Sequence, residues 1–216
     1  MSYFYNTGRI QFYDRIKQHK DVIRGKVLDV GAGSFSRYKE LFKFDEYIRM
    51  DIEPRKGVDI VGRVENIPLP DNSFDSIVCT QVLGDVYEPR KAFEEMYRVL
   101  RHDGIALITE SLLTPLHDEP YDFWRFTEYS LRRLAEDAGF EVLVLERCGG
   151  YRSVMAQMKA RYLIERLSAH GKWFSRLLSF YLKIFGTLAE FRDRRDASHA
   201  NTLFTHGYVL IAKKHA

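Results

Sequence analysis

Short apolar runs alternate with amphipathic segments along most of the chain. Seven of the runs have the length and residue types of strands, and they are residues 26–30, 46–51, 58–61, 74–79, 104–110, 140–147 and 206–213. Apolar residues between the fourth and fifth runs, and between the fifth and sixth, recur instead at helical spacing. Strands that alternate with helices are typical of a mostly parallel sheet covered on both faces. The pattern therefore predicts an α/β fold with seven strands.

Two of the predicted helices have recognisable ends. Pro89 can open the first, because proline is tolerated in the first helical turn, and His102 to Gly104 close it. Thr127 is a candidate N-cap of the second, and Gly139 is its stop signal. Their apolar positions are Phe93, Met96, Tyr97 and Leu100 in the first and Leu131, Leu134, Ala135 and Ala138 in the second. We expect both helices to be structural.

Residues 149–205, between the last two predicted strands, form a long and basic segment. It holds ten Lys or Arg and four Asp or Glu, a net charge of +6, whereas the remainder of the chain carries −3. From residue 173 onward the sequence is amphipathic, with Phe174, Leu177, Leu178, Tyr181, Phe185 and Leu188 on one helical face and Arg176, Ser179, Lys183 and Thr187 on the other.

This amphipathic segment has several interpretations. Residues 173–189 suit contact with an anionic membrane surface, an acidic or lipid-linked substrate, or a partner helix, for example in a homodimer. The alternative is a lid that packs its apolar face on the core and shows its charged face to water.

Composition limits the class of protein. A chain of 216 residues that is 45% hydrophobic can bury a substantial core, and we expect residues 1–216 to form one domain. Cys79 and Cys148 lie in or at the end of apolar runs, which predicts buried, reduced thiols. With no apolar leader and no window of about 18 uncharged apolar residues, we expect a cytoplasmic protein, with the inner membrane face as a second location. We expect no nucleic acid partner.

The segment KVLDVGAGS, residues 26–34, carries the clearest chemical signal. A strand reaches Asp29 and breaks at Gly31 and Gly33, which lack a Cβ and so let the backbone approach a ligand; a following helix is expected. A dinucleotide fingerprint would have a third glycine where Ser36 stands. Asp29 would repel a pyrophosphate but attract a cationic amino-acid group, and Asp51 suits ribose hydroxyls. This charge pattern favours S-adenosylmethionine.

Six segments in order resemble one family. They are KVLDVGAGS, EYIRMDIE, VENIPLPDNSFDSIVCTQVL, YEPRKAFEEMYRVLRHDG, PYDFWRFTEYSLRRLAEDAGF and HGYVLIAKK. Together they resemble the class I S-adenosylmethionine-dependent methyltransferases of the small bacterial type 11-like group. The resemblance implies a Rossmann-like fold, with residues 149–205 as a helical insertion where that fold needs only a hairpin turn. It further implies methyl transfer to an oxygen or nitrogen of a small molecule, glycan or lipid-linked precursor.

The resemblance also implies a set of cofactor-binding residues. Those along the methionine portion are Asp29, Gly31, Ala32, Gly33 and Ser34; those at the adenosine and the pocket floor are Asp51, Ile52, Val64, Glu65, Gln81 and Leu83. Two positions depart from the pattern. Arg63 stands where relatives commonly carry an acid, and Gly84–Asp85 stand where they commonly carry Glu-His.

The segment ESLLTPLHDEPYDFWRFT, residues 110–127, is the candidate substrate loop, because ligands of open α/β sheets bind beyond the carboxyl ends of the strands. His117, Asp122 and the nearby Asp85 are candidate proton acceptors. Candidate substrate-binding residues are Tyr121, Trp124 and Arg125. Alternatively Arg125 bridges Asp122, Trp124 belongs to the core, and Asp85 caps the following helix.

Two other functional classes stay open at this point. A Rossmann-type oxidoreductase is disfavoured by Ser36 and Asp29. A noncatalytic cofactor-binding or scaffold protein would explain Arg63 and Asp85 as decay of the site. No metal site is predicted in any of these interpretations.

Overall fold

The computed structural model describes residues 7–167 and 172–215. The helices are α1 Thr7–Gln18, α2 Pro89–Val99, α3 Glu128–Asp137, α4 Tyr151–Leu167, α5 Lys172–Asp193 and α6 His199–Thr202. The strands are β1 Lys26–Val30, β2 Glu46–Asp51, β3 Ile60–Val61, β4 Phe74–Thr80, β5 Leu100–Ser111, β6 Phe140–Cys148 and β7 Gly207–Lys214. Side chains of helical residues 7, 167, 172–179, 181 and 182 lie outside the described part.

The seven strands form one sheet in the order β3-β2-β1-β4-β5-β7-β6. Neighbouring strands from β3 to β5 pair in parallel, and β7 runs antiparallel to both β5 and β6. This mixed, mostly parallel sheet confirms the predicted α/β, Rossmann-like class. In such a sheet β1, β2, β4 and β5 end at the same edge, so the polar residues that follow them are brought together.

Two strand boundaries differ from the predicted ones by more than one residue. β3 is only Ile60–Val61, and β5 begins at Leu100, four residues before the prediction. Helix α2 therefore ends at Val99 and does not reach His102. The Lys214 ammonium donates to the carbonyl oxygens of Tyr97 and Leu100, which satisfies acceptors that the end of the helix leaves open.

Helices cover both faces of the sheet, as predicted. On one face α2 and α3 bury Phe93, Met96, Leu131 and Ala135 against the strands. On the other face Ile16 of α1, a helix that the sequence did not predict, packs in a second apolar cluster. Both cysteines are buried and free, and burial raises the pKa of the Cys148 thiol to about 12.

The helix expected after the glycine turn is wrong. Residues 31–45 are all described, and they contain only one turn of 3₁₀-helix, Lys39–Leu41. Buried Tyr38 and Phe42 cover the sheet there in place of a helix. The segment between β1 and β2 is short, and the rings of Tyr38 and Phe42 fill the space on this face of the sheet.

The insertion between β6 and β7 folds as α4, α5 and α6. Asp193, near the end of α5, accepts hydrogen bonds from the backbone N–H groups of Arg152 and Ser153 and so caps the start of α4. The Asn201 side chain accepts another, from Tyr151. These contacts join the three helices into one unit.

The described part of α5 does not match the predicted lid. Phe185 and Leu188, which that interpretation turned toward the core, are both exposed, and so are Lys183 and Thr187. The side chains of the other predicted positions lie outside the described part: Phe174, Arg176, Leu177, Leu178, Ser179 and Tyr181. Across the described helices, none combines the length and apolar character that a bilayer span requires.

The predicted cap of α3 is confirmed and gives a stability test. Thr127 Oγ1 accepts the Ser130 N–H at 3.2 Å, and Ser130 Oγ accepts the Thr127 N–H at 3.0 Å. We expect Thr127→Ala to lower the free energy of unfolding by about 1 kcal/mol, measured by urea denaturation. Thr127→Ser keeps the acceptor and should stay within about 0.5 kcal/mol of the wild type. Equal stability of the alanine and serine variants would contradict this role.

Candidate functional site

A cavity of about 400 Å³ opens where β1, β4 and β5 end. The glycine turn contributes Asp29, Gly31 and Ala32 to its lining, Gln81 comes from the residues after β4, and His117 comes from the candidate substrate loop. The carboxyl edge of the sheet thus brings the predicted cofactor turn and two of the predicted proton acceptors, His117 and Asp85, to one cavity, whereas Asp122 is not part of its lining.

Asp29 is a buried carboxylate at the centre of the turn. Its Oδ2 accepts hydrogen bonds from Ser36 Oγ at 2.7 Å and Tyr47 Oη at 3.0 Å. Burial raises the pKa of Asp29, and these two hydroxyl donors act against that rise. Ser36, which replaces the third glycine of a dinucleotide fingerprint, therefore has a structural role as a partner of Asp29.

The glycines of the turn are required by geometry. Gly31 has φ +67°, and a Cβ there would lie 2.3 Å from Val82 Cγ2. Gly33 has φ +59°, and a Cβ there would meet no atom within 4 Å, because this side of the turn faces open space. Asp51 Oδ2 accepts the Gly33 N–H, and Arg49 donates to the Gly33 carbonyl, both at 2.8 Å. Strand β2 therefore holds the turn in place.

The remaining predicted cofactor residues lie outside the cavity lining. Asp51 is buried beside the turn, with the Arg55 guanidinium 3.8 Å from its Oδ1. Ile52 and Ser34 are exposed, whereas Val64 and Leu83 belong to the core.

Arg63, which departs from the pattern of relatives, forms an ion pair with a near neighbour in sequence. Arg63 is exposed, and its guanidinium pairs with the Glu65 carboxylate at 2.9 Å.

Gln81 sits in a strained position at the cavity floor. Its φ is +57°, which is uncommon for a residue with a side chain. Its N–H donates to the Thr109 carbonyl, and its Oε1 accepts from Ser111 Oγ. These two contacts to β5 hold the backbone of Gln81 in its strained conformation and fix its side-chain amide at the cavity wall.

Glu110, which the sequence did not single out, organises the loop after β4. Its carboxylate is fully buried and accepts the N–H groups of Val82 and Leu83 at 3.0 and 2.7 Å, and that of Gly84 at 3.3 Å. Burial raises the pKa of Glu110 to about 7, although these donors oppose the rise. An acid at the end of an apolar strand was the only available sequence signal.

The Gly84 carbonyl extends this network to the candidate substrate loop. It accepts the backbone N–H groups of Phe123 and Trp124 at 2.9 and 3.0 Å. Glu110 therefore supports both loops that border the cavity, one directly and one through Gly84.

Arg125 and Asp122 form a bidentate pair inside the substrate loop, as one of the alternatives predicted. The two guanidinium nitrogens lie 2.5 and 2.7 Å from the two carboxylate oxygens. This pairing lowers the pKa of Asp122 to about 2. Arg125 also donates to the carbonyl oxygens of Trp124 and Pro115, so its charge and donors are used within the loop.

His117 lies between two carboxylates. Its Nδ1 is 3.4 Å from Asp122 Oδ2 and 3.2 Å from the Pro115 carbonyl oxygen. Its Nε2 is 3.9 Å from Asp85 Oδ1. The Asp122 carboxylate also accepts a hydrogen bond from the His117 backbone N–H, so Asp122 contacts both the backbone and the ring of His117.

Asp85 is a partly buried acid beside His117 and caps no helix, because α2 begins at Pro89 with Glu88 as its N-cap. Its Oδ1 has no hydrogen-bond partner within the described chain. Burial raises the pKa of Asp85, with the charge of His117 acting in the opposite direction. One ligand atom each of Asp85, His117 and Asp118 lie within 4.8 Å of one another, a grouping that can hold a cation.

The aromatic candidates of the loop are exposed. Trp124 is 44% exposed and so is not a core residue, which excludes that alternative. Tyr121 and Phe123 stack edge-on with ring centroids 6.4 Å apart, and Phe123 stacks in the same way on Tyr87. This aromatic group lies on the surface beside the loop, and Tyr121 and Trp124 are not part of the cavity lining.

Comparison with known proteins finds similarities over part of the chain. Residues 28–108 match the family model described as "Methyltransferase domain". The ubiquinone/menaquinone biosynthesis C-methyltransferase UbiE of Cronobacter sakazakii is 32% identical over 136 residues, covering 58% of this chain and 47% of that protein. The chain spans less than half the length of the first curated relatives that it matches.

The methyltransferase YcgJ of Bacillus subtilis is similar in sequence and structure. It is 36% identical over 101 residues, covering 39% of this chain and 40% of that protein. Its crystal structure has a TM-score of 0.57 at 18% identity and covers 96% of this chain and 99% of that one. The [4+2]-cyclase SpnF has a TM-score of 0.60 at 21% identity, covering 100% and 86%. Fold alone therefore does not define the reaction.

The pKa of Glu110 gives a test by pH. Its pKa in the folded chain, about 7, lies above the ordinary 4.5, so the folded state holds a proton that the unfolded chain has lost. The stabilisation is present below pH 4.5 and is lost as pH rises through 7. We expect Glu110→Gln to remove up to about 3 kcal/mol of this pH dependence, measured by urea denaturation from pH 4.5 to 8.

Glu94→Gln, an exposed position on α2, is the matched control and should keep the wild-type slope. Parallel stability curves for the wild type and Glu110→Gln would show that Glu110 is not protonated in this range.

Proposed function

We propose that this chain is an S-adenosylmethionine-dependent methyltransferase. It transfers a methyl group to an oxygen or nitrogen of a small molecule, glycan or lipid-linked precursor. The observation that carries the proposal is one cavity lined by the Asp29 turn, Gln81, His117 and Asp85. A binding turn for the methyl donor and a base for the acceptor then face the same space.

The residues present fit the proposed cofactor. Open space lies where a Cβ of Gly33 would project, so a ligand can approach the backbone there. Asp29 offers a negative charge at the cavity end of the turn, and Asp51 offers carboxylate oxygens at the end of β2. The first suits a cationic amino-acid group and the second suits ribose hydroxyls. Arg55 would have to leave room beside Asp51.

When bound, S-adenosylmethionine supplies a methyl group that its positive sulfur activates. The chain's own contribution is then to align the acceptor, exclude water and remove the acceptor's proton. Gln81, held in its strained conformation by β5, forms part of the floor on which this alignment depends.

His117 is suited to take the proton. Arg125 keeps Asp122 ionised. Three groups approach Nδ1: the Pro115 carbonyl oxygen at 3.2 Å, Asp122 Oδ2 at 3.4 Å and a guanidinium nitrogen of Arg125 at 3.5 Å. The two acceptors lie closer than the donor and so favour a proton on Nδ1 of the neutral ring. Nε2 is then the basic atom. Asp85 lies next to Nε2 and stabilises the ring once it is protonated.

A carbon acceptor is the second candidate. The relative from Cronobacter sakazakii is named a C-methyltransferase of quinone biosynthesis, and methylation of a ring carbon also releases a proton. The same His117–Asp85 pair would serve that reaction. Identifying the methylated atom by mass spectrometry and NMR distinguishes the two candidates.

Cofactor binding is tested by calorimetry with S-adenosylhomocysteine, the demethylated product. We expect Asp51→Asn and Asp29→Asn to weaken its binding about 10- to 100-fold, because each loses a charged acceptor. Asp45→Asn, an exposed acid, is the control and should bind as the wild type does. NAD⁺ should not bind, which addresses the oxidoreductase alternative. Wild-type affinity in both site variants would contradict the proposed cofactor site.

The base is tested with radiolabelled methyl donor and a panel of sugars, phenols and amines. We expect His117→Gln to lower the rate of methyl transfer at least about 100-fold. Its affinity for S-adenosylhomocysteine should not change. His102→Gln, exposed at the amino edge of the sheet, is the matched control. A full rate for His117→Gln would exclude this residue as the base.

A further inference from the structure

Three arginines from distant parts of the sequence meet at the rim of the cavity. Arg9 comes from α1, Arg37 follows the glycine turn, and Arg161 comes from α4 of the insertion. All three are exposed, so a ligand can reach them from solvent. Three carboxylates line the same cavity: Asp29 near the end of β1, Asp85 in the turn after β4, and the exposed Asp118 in the substrate loop. The lining therefore combines the carboxylates at the sheet edge and in the substrate loop with a separate group of three arginines, which we call the basic rim.

The arginines influence one another electrostatically. Partial burial lowers the pKa of Arg9, and the positive charges of Arg37 and Arg161 lower it further. Glu165 pairs with Arg161 at 2.9 Å, one helical turn away on α4. Such an exposed pair is worth about 0.3–0.5 kcal/mol and is readily exchanged for a ligand anion. An anion on the rim would relieve the repulsion among the three guanidinium groups.

We propose that the rim formed by Arg9, Arg37 and Arg161 binds a phosphate group carried by the methyl acceptor. This inference rests on the proposed function, because it concerns the acceptor side of the same cavity. Guanidinium groups bind phosphate oxygens through paired hydrogen bonds, and a dianion matches several cations better than a neutral sugar or phenol does. The carboxylate of the cofactor is a second source of negative charge, and it can neutralise one of the three arginines at most.

The insertion has a specific part in this arrangement. Helix α4 of the insertion contributes Arg161 and Gln157 to the cavity wall. A simple hairpin between β6 and β7 would bring neither residue to the site. The basic insertion thus adds acceptor specificity to a family fold.

The test is calorimetric titration of inorganic phosphate and pyrophosphate into protein saturated with S-adenosylhomocysteine. We expect binding of both, weakened at least tenfold by Arg37→Gln or Arg161→Gln. Arg166→Gln, on the same helix but away from the cavity, is the matched control. Acetate should bind at least tenfold more weakly than phosphate. Comparing S-adenosylhomocysteine with 5′-methylthioadenosine, which lacks the amino-acid carboxylate, measures how much of the rim the cofactor itself uses.

The outcomes separate this inference from the proposed function. Normal S-adenosylhomocysteine binding without phosphate binding overturns the phosphate site and leaves the cofactor site intact. Loss of S-adenosylhomocysteine affinity in both arginine variants assigns the rim to the cofactor and also overturns the inference. Absence of S-adenosylhomocysteine binding in the wild type contradicts the proposed function itself.

A separate observation concerns the outer face of α5. Phe180, Ile184, Leu188 and Phe191 recur at helical spacing and are 64%, 46%, 48% and 53% exposed. The opposite face holds buried Gly186, Glu190 and Asp193. The helix therefore turns its apolar stripe outward, away from the rest of the fold.

Basic residues border this stripe. Lys183 and Arg192 are exposed on α5, and the Arg195 guanidinium lies 3.4 Å from the centroid of the Phe191 ring. Apolar side chains flanked by lysine and arginine match the boundary between acyl chains and anionic headgroups. We infer that this face of α5 binds the surface of an anionic bilayer. The net charge of +6 on the insertion favours that occupant over a second, equally basic copy of the chain.

Vesicle co-sedimentation of the full chain tests this surface. We expect binding to phosphatidylcholine–phosphatidylglycerol vesicles, little binding to phosphatidylcholine alone, and at least a tenfold loss in Ile184→Glu/Leu188→Glu. Leu143→Glu is the matched control, because Leu143 is 46% exposed on β6. Equal binding by the double variant overturns the inference, as does equal binding to both vesicle types. A lipid-independent dimer that the double variant breaks would assign the face to a second copy instead.

Discussion

The site depends on one constraint, the close packing of the Gly31–Gly33 turn between two strands that end in buried carboxylates. Val82 leaves no room for a side chain at position 31, and Asp51 and Arg49 of β2 hold the turn through the Gly33 backbone. Asp29 then remains in a buried position only because Ser36 and Tyr47 donate to it. A buried carboxylate would be costly without such donors, so the conformation of the turn and the burial of Asp29 depend on each other.

A second buried acid extends the same principle to the loops. Glu110 gathers the three N–H groups of residues 82–84, and the Gly84 carbonyl in turn receives the backbone of the substrate loop. Within that loop Arg125 and Asp122 fix His117. Many polar groups that border the cavity are thus paired with one another, whereas Asp85 Oδ1 has no hydrogen-bond partner among the described residues.

Local patterns predicted most of the framework. The seven strands, the Thr127 cap and the glycine turn follow from apolar periodicity and from backbone geometry that few residue types allow. The helix after the turn was wrong because Tyr38 and Phe42 cover the sheet in its place, a tertiary solution that no local signal announces. Helix α1 was not predicted, because its sequence has only a narrow apolar face.

The site was predictable only where a motif is local. Asp29, Gln81, His117 and Asp85 meet because parallel strands end at one edge. Glu110 and the three rim arginines could not be foreseen, because their roles depend on which distant segments the fold places side by side. The most direct measurement is a crystal structure with S-adenosylhomocysteine. We predict its amino-acid part beside Asp29 and Gly31 and its ribose at Asp51. Side chains filling that crevice, with the ligand bound elsewhere, would contradict the assignment.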